Sequence, residues 1–252
     1  MGAVFLDFGG TSRLMGLKWR STAKCCGSRD SPTATWYFND SESIEGNGTM
    51  TALAELRQPA ESVDVLDRSD SRWLRLRDTI RDQSLTVGKF TLSSGRQSNY
   101  LFQLKQTALL PEGAALLGEI IVEYMKGRKI VCIGGLELGA VPIVSSVAPV
   151  SYLKGYPVDA FFVRKAQKEH GARERIDGHL RAGAEPLMVD DVATTGDSIL
   201  KAIEGMNSDQ RSCNVQCALV VVDREEGAAE NLAQRGIQLA AIFKRSDFPE
   251  IR

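Results

Sequence analysis

Leu187-Met188-Val189-Asp190-Asp191-Val192-Ala193-Thr194-Thr195-Gly196-Asp197-Ser198 decides how this 252-residue chain is read. Three apolar residues make a short buried strand, two adjacent carboxylates end it, and small hydroxyl residues with Gly196 turn the chain into a helix beginning Ile199-Leu200-Lys201-Ala202-Ile203. The first N–H groups of a helix have no intrahelical partner and lie at the positive end of its dipole, so this turn can cradle a phosphate. Gly196 lets the backbone approach closely, and the Thr and Ser hydroxyls add donors. Asp190 and Asp191 accept hydrogen bonds only, which suits sugar hydroxyls and not the phosphate itself. The stretch therefore reads as a monophosphate pocket beside a diol clamp.

Working outward, the chain alternates helices with continuous apolar strands from Ser71 onward. Ser71 to Ser84 reads as a helix with Trp73, Leu74, Leu76 and Ile80 on its apolar side. Short strands follow around Lys89–Leu92 and Tyr100–Gln103, split by the turn Ser93-Ser94-Gly95-Arg96. Pro111 opens a helix that runs to about Lys126, with Gly127 as its stop. Further strands are expected at Ile130–Ile133, Val158–Val163, Leu187–Val189, Val215–Val222 and Ile237–Phe243. Helices are expected at Gly139–Leu153, Asp197–Met206 and Glu226–Arg235. That alternation predicts an α/β fold with a parallel sheet covered on both faces. Ligands of such sheets bind beyond the carboxyl ends of the strands, so the loops after Ile133, Val163, Val189 and Val222 should carry the chemistry.

The second of those loops, Arg164 to Arg181, holds Arg164, Lys165, Lys168, Arg173, Arg175 and Arg181 against Glu169, Glu174 and Asp177. It also carries both histidines of the chain, His170 and His179. It is too polar to pack and is bracketed by Gly171 and Gly178, which predicts a lid able to bring cations to an anionic leaving group.

Composition bounds the rest. Hydrophobic residues make up 43% and charged residues 25%, enough for a sizeable core. With 31 Lys+Arg against 32 Asp+Glu the net charge is −1, which argues against a protein that coats nucleic acid. No apolar run approaches the roughly 18 residues of a membrane span. Five cysteines (Cys25, Cys26, Cys132, Cys213, Cys217) suit a reducing compartment, with Cys132 and Cys217 as buried strand thiols. The absence of Cys/His clusters gives no metal ligands of zinc type. Residues 1–70 read as an irregular extension, because 20–50 are rich in Ser, Thr, Gly and Asn without a sustained period and 27–50 cannot bury much apolar surface. The start lacks a basic region followed by a long apolar core, so a secretory signal is not expected, and Met50 is a plausible alternative start.

The quoted stretch is similar to the 5-phosphoribosyl diphosphate (PRPP) motif of type I phosphoribosyltransferases. Arg164-Lys165-x-x-Lys168-x-His170-Gly171 resembles the catalytic loop of the orotate phosphoribosyltransferase family. Phe90 to Tyr100 resembles that family's hood over the base, Gly134-Gly135-Leu136-Glu137-Leu138-Gly139-Ala140-Val141-Pro142 its diphosphate loop, and Asp223-Arg224 the strand end whose Arg holds orotate. The resemblance runs from about Arg72 to Phe243 and divides the chain into an extension, 1–70, and a phosphoribosyltransferase domain, 71–252.

The resemblance implies the type I phosphoribosyltransferase fold, a parallel sheet flanked by helices with a small hood. It implies transfer of the 5-phosphoribosyl group from PRPP to orotate, giving orotidine 5′-phosphate and diphosphate for UMP biosynthesis, in a cytoplasmic, Mg²⁺-dependent homodimer. Thr194, Thr195, Gly196, Asp197 and Ser198, with Val192 and Ala193 leading in, would hold PRPP's 5-phosphate. Asp190 and Asp191 would bind its ribose. Arg164, Lys168 and His170 would contact the diphosphate, and Lys165 would do so in the neighbouring subunit's site. Lys168, His170, Asp190 and Asp191 are the implied catalytic group; Thr194 and Arg224 would contact orotate. Many relatives carry Lys where Ser93 and Gly139 stand here, so the remaining lid cations and Mg²⁺ are expected to supply that charge. Transfer to a purine or uracil, and non-catalytic PRPP sensing, are the competing readings. A fused decarboxylase is not expected, because the chain ends at Arg252, short of a further barrel of around 250 residues.

Overall fold

The computed structural model describes residues 60–91, 97–166, 175–208 and 213–251. These lie in one unit, Pro59–Arg252. A two-residue strand, β1 (Val63–Asp64), precedes helix α1 (Ser71–Gln83). The Asp70 carboxylate caps α1 by accepting from the Arg72 amide at 2.8 Å. Trp73, Leu76 and Ile80 are buried on one side of α1. Leu74, expected with them, is 38% exposed, because it sits about 100° round the helix from Trp73. Strands β2 (Leu85–Thr91) and β3 (Gln97–Phe102) pair antiparallel in a sheet of their own, the expected hood, and are longer than the sequence signals suggest. The turn Ser93-Ser94-Gly95-Arg96 lies outside the described residues.

A one-turn helix α2 (Lys105–Ala108) leads to α3 (Pro111–Arg128), β4 (Cys132–Gly134), α4 (Ala140–Leu153) and β5 (Asp159–Val163). Helix α3 passes through Gly127, the expected stop. It ends where Lys129 takes a left-handed conformation (φ 59°) and its amide turns back to Met125 and Lys126. Strands β6 (Ile176–Gly178) and β7 (Leu187–Ala193) follow, then α5 (Asp197–Asn207), β8 (Cys217–Asp223), α6 (Ala228–Ala233) and β9 (Gln238–Lys244). Helix α6 is shorter than expected, beginning only after Gly227 at φ 100°.

The main sheet has the order β1-β9-β8-β7-β4-β5-β6, parallel throughout except for β6, which runs antiparallel to β5. Side chains alternate across it with period two. Leu187, Val189, Leu219, Val221, Ala240 and Ile242 pack with residues of α1, α3 and α4. Met188, Ala218, Val220, Leu239 and Ala241 pack with Ile199, Ala202, Met206 and Leu232 from α5 and α6. Both faces are thus covered, the condition under which an all-apolar parallel strand is stable.

Three findings reshape the expected plan. Strand β7 continues past Val189 to Ala193, with Asp190, Val192 and Ala193 registered on Val220, Val222 and Asp223. The acids therefore sit on the strand itself. The stretch Arg164–Arg181 is not one loop, since Ile176–Gly178 forms β6. Residues 60–70, grouped by composition with the extension, contribute β1 and the cap of α1. Cys132 is buried, its thiol pushed up to about 12 by burial, whereas Cys217 is only half-buried. No helix among the described residues is long and apolar enough to cross a membrane.

Candidate active site

The carboxyl ends of β4, β5, β7 and β8 meet along one edge of the sheet, and the acid pair lies at its centre. Asp190 is 7% exposed. Its Oδ1 accepts from the Asp191 amide at 3.0 Å, and Asp191 Oδ1 accepts from the Val192 amide at 2.9 Å. Asp191 Oδ2 takes the Lys105 ammonium at 2.9 Å. Burial pushes the Asp190 carboxyl up from the ordinary 3.8 toward neutrality; the neighbouring Asp191 charge adds to this, and hydrogen bonds from the Asp191 amide and the Ser198 hydroxyl oppose it.

The folded protein thus holds the Asp190 proton to higher pH than the unfolded chain, and this residue's contribution to stability falls as pH rises from 3.8 toward neutrality. Asp190→Asn removes the ionisable group at little change of shape. Its melting temperature at pH 8 should exceed that of the wild type by at least about 2 °C, and the gap should close toward pH 4. Thermal unfolding across that range checks this; equal melting temperatures at pH 8 would contradict it.

The turn expected to hold a phosphate follows directly. Gly196 stands at φ 82° as the cap of α5 and, having no side chain, caps none of the first-turn amides itself. Thr194 and Thr195 are half-buried, Asp197 and Ser198 are exposed, and only Gly196 of the five is buried. Asn231 Nδ2 holds the Thr195 carbonyl at 2.9 Å from α6, and Leu232 lies 3.3 Å from where a Gly196 Cβ would stand.

The loop between β4 and α4 lies against the acids. A Cβ on Gly135 would fall 2.1 Å from the Val189 carbonyl, and one on Gly139 would fall 2.3 Å from Asp190 Oδ1 and 2.9 Å from Asp191 Oδ1. Only glycine permits this approach. The Glu137 carboxylate accepts from the Lys165 amide at 2.9 Å, and the Glu137 amide donates to Val163 O at 2.9 Å, tying this loop to the end of β5. Arg164 ion-pairs with Asp177 of β6. Lys168 and His170 lie outside the described residues.

Arg224, just past β8, donates its amide to Ala193 O at 2.9 Å, so it begins beside the phosphate turn. Its side chain is buried. Nε meets Glu226 Oε1 at 2.8 Å, one terminal nitrogen reaches Ser98 Oγ at 3.2 Å, and the guanidinium stacks over Tyr100 at 4.4 Å. Ser98, Tyr100, Arg224, Glu226 and Arg245 are among the residues lining a cavity of about 390 Å³ between hood and sheet. A planar cation facing an aromatic ring in a half-closed pocket suits a flat, anionic heterocycle.

Comparison with known proteins agrees with this geometry. The family model for the phosphoribosyl transferase domain matches residues 103–240. Orotate phosphoribosyltransferase of Rhodopseudomonas palustris strain TIE-1 is 44% identical over 187 residues, covering 73% of this chain and 98% of that protein. The Aquifex aeolicus enzyme of the same name is 40% identical over 176 residues, covering 69% and 95%. The chain belongs to the orotate phosphoribosyltransferase family. Among solved structures, Mycobacterium tuberculosis H37Rv orotate phosphoribosyltransferase in complex with Fe(III) dicitrate has a TM-score of 0.61 at 33% identity, covering 70% of this chain and 98% of that one. The same enzyme in complex with PRPP has a TM-score of 0.58 at 31% identity, covering 70% and 98%.

For a member of the orotate phosphoribosyltransferase family, the structure brings together most of the residues singled out by sequence. Asp190, Asp191, Val192, Ala193 and Thr194–Ser198 form one continuous edge, and Arg164, Lys165 and Arg224 begin at neighbouring strand ends. Three residues that the motifs do not mark also take part. Lys105 pairs with Asp191 across 86 positions, Glu226 fixes Arg224, and Asn231 supports the phosphate turn. Glu226 follows Arg224 by two residues, and that local spacing was the one available signal for it.

Proposed function

We infer that this chain transfers the 5-phosphoribosyl group of PRPP to orotate. The observation that supports this is the 2.9 Å bond from the Arg224 amide to Ala193 O, which sets Arg224 and the turn after β7 on adjacent strand ends. The C1–oxygen bond to diphosphate breaks, and orotate N1 bonds to the same carbon and releases its proton. Positive charge develops on the ribose ring and negative charge on the departing diphosphate. The first-turn amides of α5 and the hydroxyls of Thr194, Thr195 and Ser198 hold the 5-phosphate. Asp190 and Asp191 accept from the ribose hydroxyls and orient the ring. Lys168 and His170, with Arg164, stabilise the leaving group by charge and hydrogen bonding. Arg224 grips the base over Tyr100, with Thr194 beside it.

The all-oxygen donors of Asp190 and Asp191 fit Mg²⁺, which would be held mainly through substrate oxygens and water and would neutralise diphosphate charge when bound. We also place the protein in the cytoplasm as a homodimer, with Lys165 acting across the interface.

Diphosphate release from PRPP, measured with orotate, uracil, adenine and hypoxanthine, each with and without Mg²⁺, tests this reading. Orotate with Mg²⁺ should exceed every other base. Preference for a purine or uracil would transfer the activity to that base, and PRPP binding without release would leave a sensor.

A further inference from the structure

Beyond the lid cations and Mg²⁺ of the reading above, the acid pair makes an electrostatic demand of its own. Asp190 and Asp191 are consecutive on β7, and on the reading above a ligand carrying a phosphate and a diphosphate must settle beside them. Like charges brought close together in a half-buried pocket repel strongly. The loop packed against the carboxylates gives no help: Gly134, Gly135, Leu136, Glu137, Leu138 and Gly139 carry no cation and one further acid. Gly139 turns its bare Cα toward both carboxylates. Arg164 pairs with Asp177 at the far side of this loop, not with the acid pair.

A further cation comes from α2. Lys105 Nζ lies 2.9 Å from Asp191 Oδ2, and Asp191's side chain is 17% exposed against 52% for Lys105. The backbone that carries Lys105 is held firmly. Leu104 is 2% exposed, the Thr107 amide donates to Ser84 Oγ at 3.1 Å, and the Ser84 and Thr107 hydroxyls meet at 2.7 Å. Gly113 of α3 packs so closely that a Cβ there would fall 2.1 Å from the Thr107 carbonyl. Lys105 thus has a fixed base and a solvated end. An ion pair whose cation is largely solvated is weak, so the ammonium is readily shared with a stronger anion.

We propose that Lys105 is a further substrate-binding residue, the cation that lets Asp191 and the diphosphate of PRPP occupy one pocket. In the free protein it neutralises Asp191; with substrate bound it bridges that carboxylate and a diphosphate oxygen. This rests on the PRPP reading of the site, which the wild-type protein tests by itself.

The experiment uses the full chain with Lys105→Met and Lys105→Arg. Lys105→Met should raise the PRPP KM about tenfold or more, equivalent to about 1.4 kcal/mol. The orotate KM should stay within about twofold, because Arg224 and its partners are untouched. Calorimetric titration with PRPP alone should show the same loss of affinity. Lys105→Arg should recover most of it, since the charge is kept. Raising salt should weaken PRPP binding more steeply for the wild type than for Lys105→Met. A PRPP KM and dissociation constant unchanged in Lys105→Met, with the wild type active, would overturn the proposal. An orotate KM that rises in parallel with that for PRPP would also overturn it, since that marks a structural role. Absence of orotate-dependent diphosphate release by the wild type would instead sink the substrate reading itself.

Discussion

Arg224→Ala is expected to lower kcat/KM for orotate by about a hundredfold to a thousandfold, since truncating the buried member of a hydrogen-bonded charge pair costs about 2–5 kcal/mol. Two losses combine. The base loses its planar cation, and Glu226 is left facing Tyr100 without its 2.8 Å partner. The PRPP dissociation constant should change little, because the phosphate turn takes its hydrogen bonds from α5 and its support from Asn231. Arg224→Lys keeps the charge but not the fork that meets Glu226 and Ser98 together, so it should recover only part of the activity. Steady-state kinetics with orotate varied, alongside calorimetry with PRPP, separates the two substrates. An orotate KM near the wild-type value would remove Arg224 from base binding.

Gly196→Val should produce the matching defect on the sugar-phosphate side. At φ 82° a β-branched residue is strained, at about 1–3 kcal/mol. Its Cβ would also meet Leu232 at 3.3 Å. The turn must shift to relieve both, and a displacement of about 1 Å in a positioning element can cost about a hundredfold in rate. Expected results are a PRPP kcat/KM lower by about two orders of magnitude and a melting temperature lower by several degrees. Gly196→Ala should show a smaller effect in the same direction. Wild-type kinetics for the valine variant would mean that the turn does not hold the phosphate.

The parts of this molecule legible in the sequence are those whose signal is local. The run from Leu187 to Ile203 announces strand, turn and helix through consecutive apolar, acidic, small and apolar residues, and the structure follows it except for the length of the strand. Asp190 and Asp191 look like a strand terminus because carboxylates rarely sit on buried strands; neighbouring backbone pairs with β8 hold them there regardless. Strand β6 escaped notice because Ile176-Asp177-Gly178 is short, polar and antiparallel, and pairing with Phe161–Val163, not propensity, makes it a strand. Helix α3 runs through Gly127 and stops where Lys129, not a glycine, takes the left-handed conformation, so the glycine signal misplaced its end. Lys105 with Asp191, and Ser98 with Arg224, are separated by 86 and 126 positions, and only the folded sheet brings them together.

The staple at the foot of the Arg164–Arg175 segment has its own consequence. The Arg164 amide donates to the Arg175 carbonyl at 2.7 Å, Arg175 returns bonds to the carbonyls of Arg164 and Lys165, and β5 and β6 continue the ladder below. Closing a longer excursion between two pinned ends costs only about 0.6 kcal/mol per doubling of its length. Insertions or deletions between these residues should therefore leave the sheet standing, so the length of this segment is a quantity that evolution or an engineer can adjust almost independently of whether the protein folds.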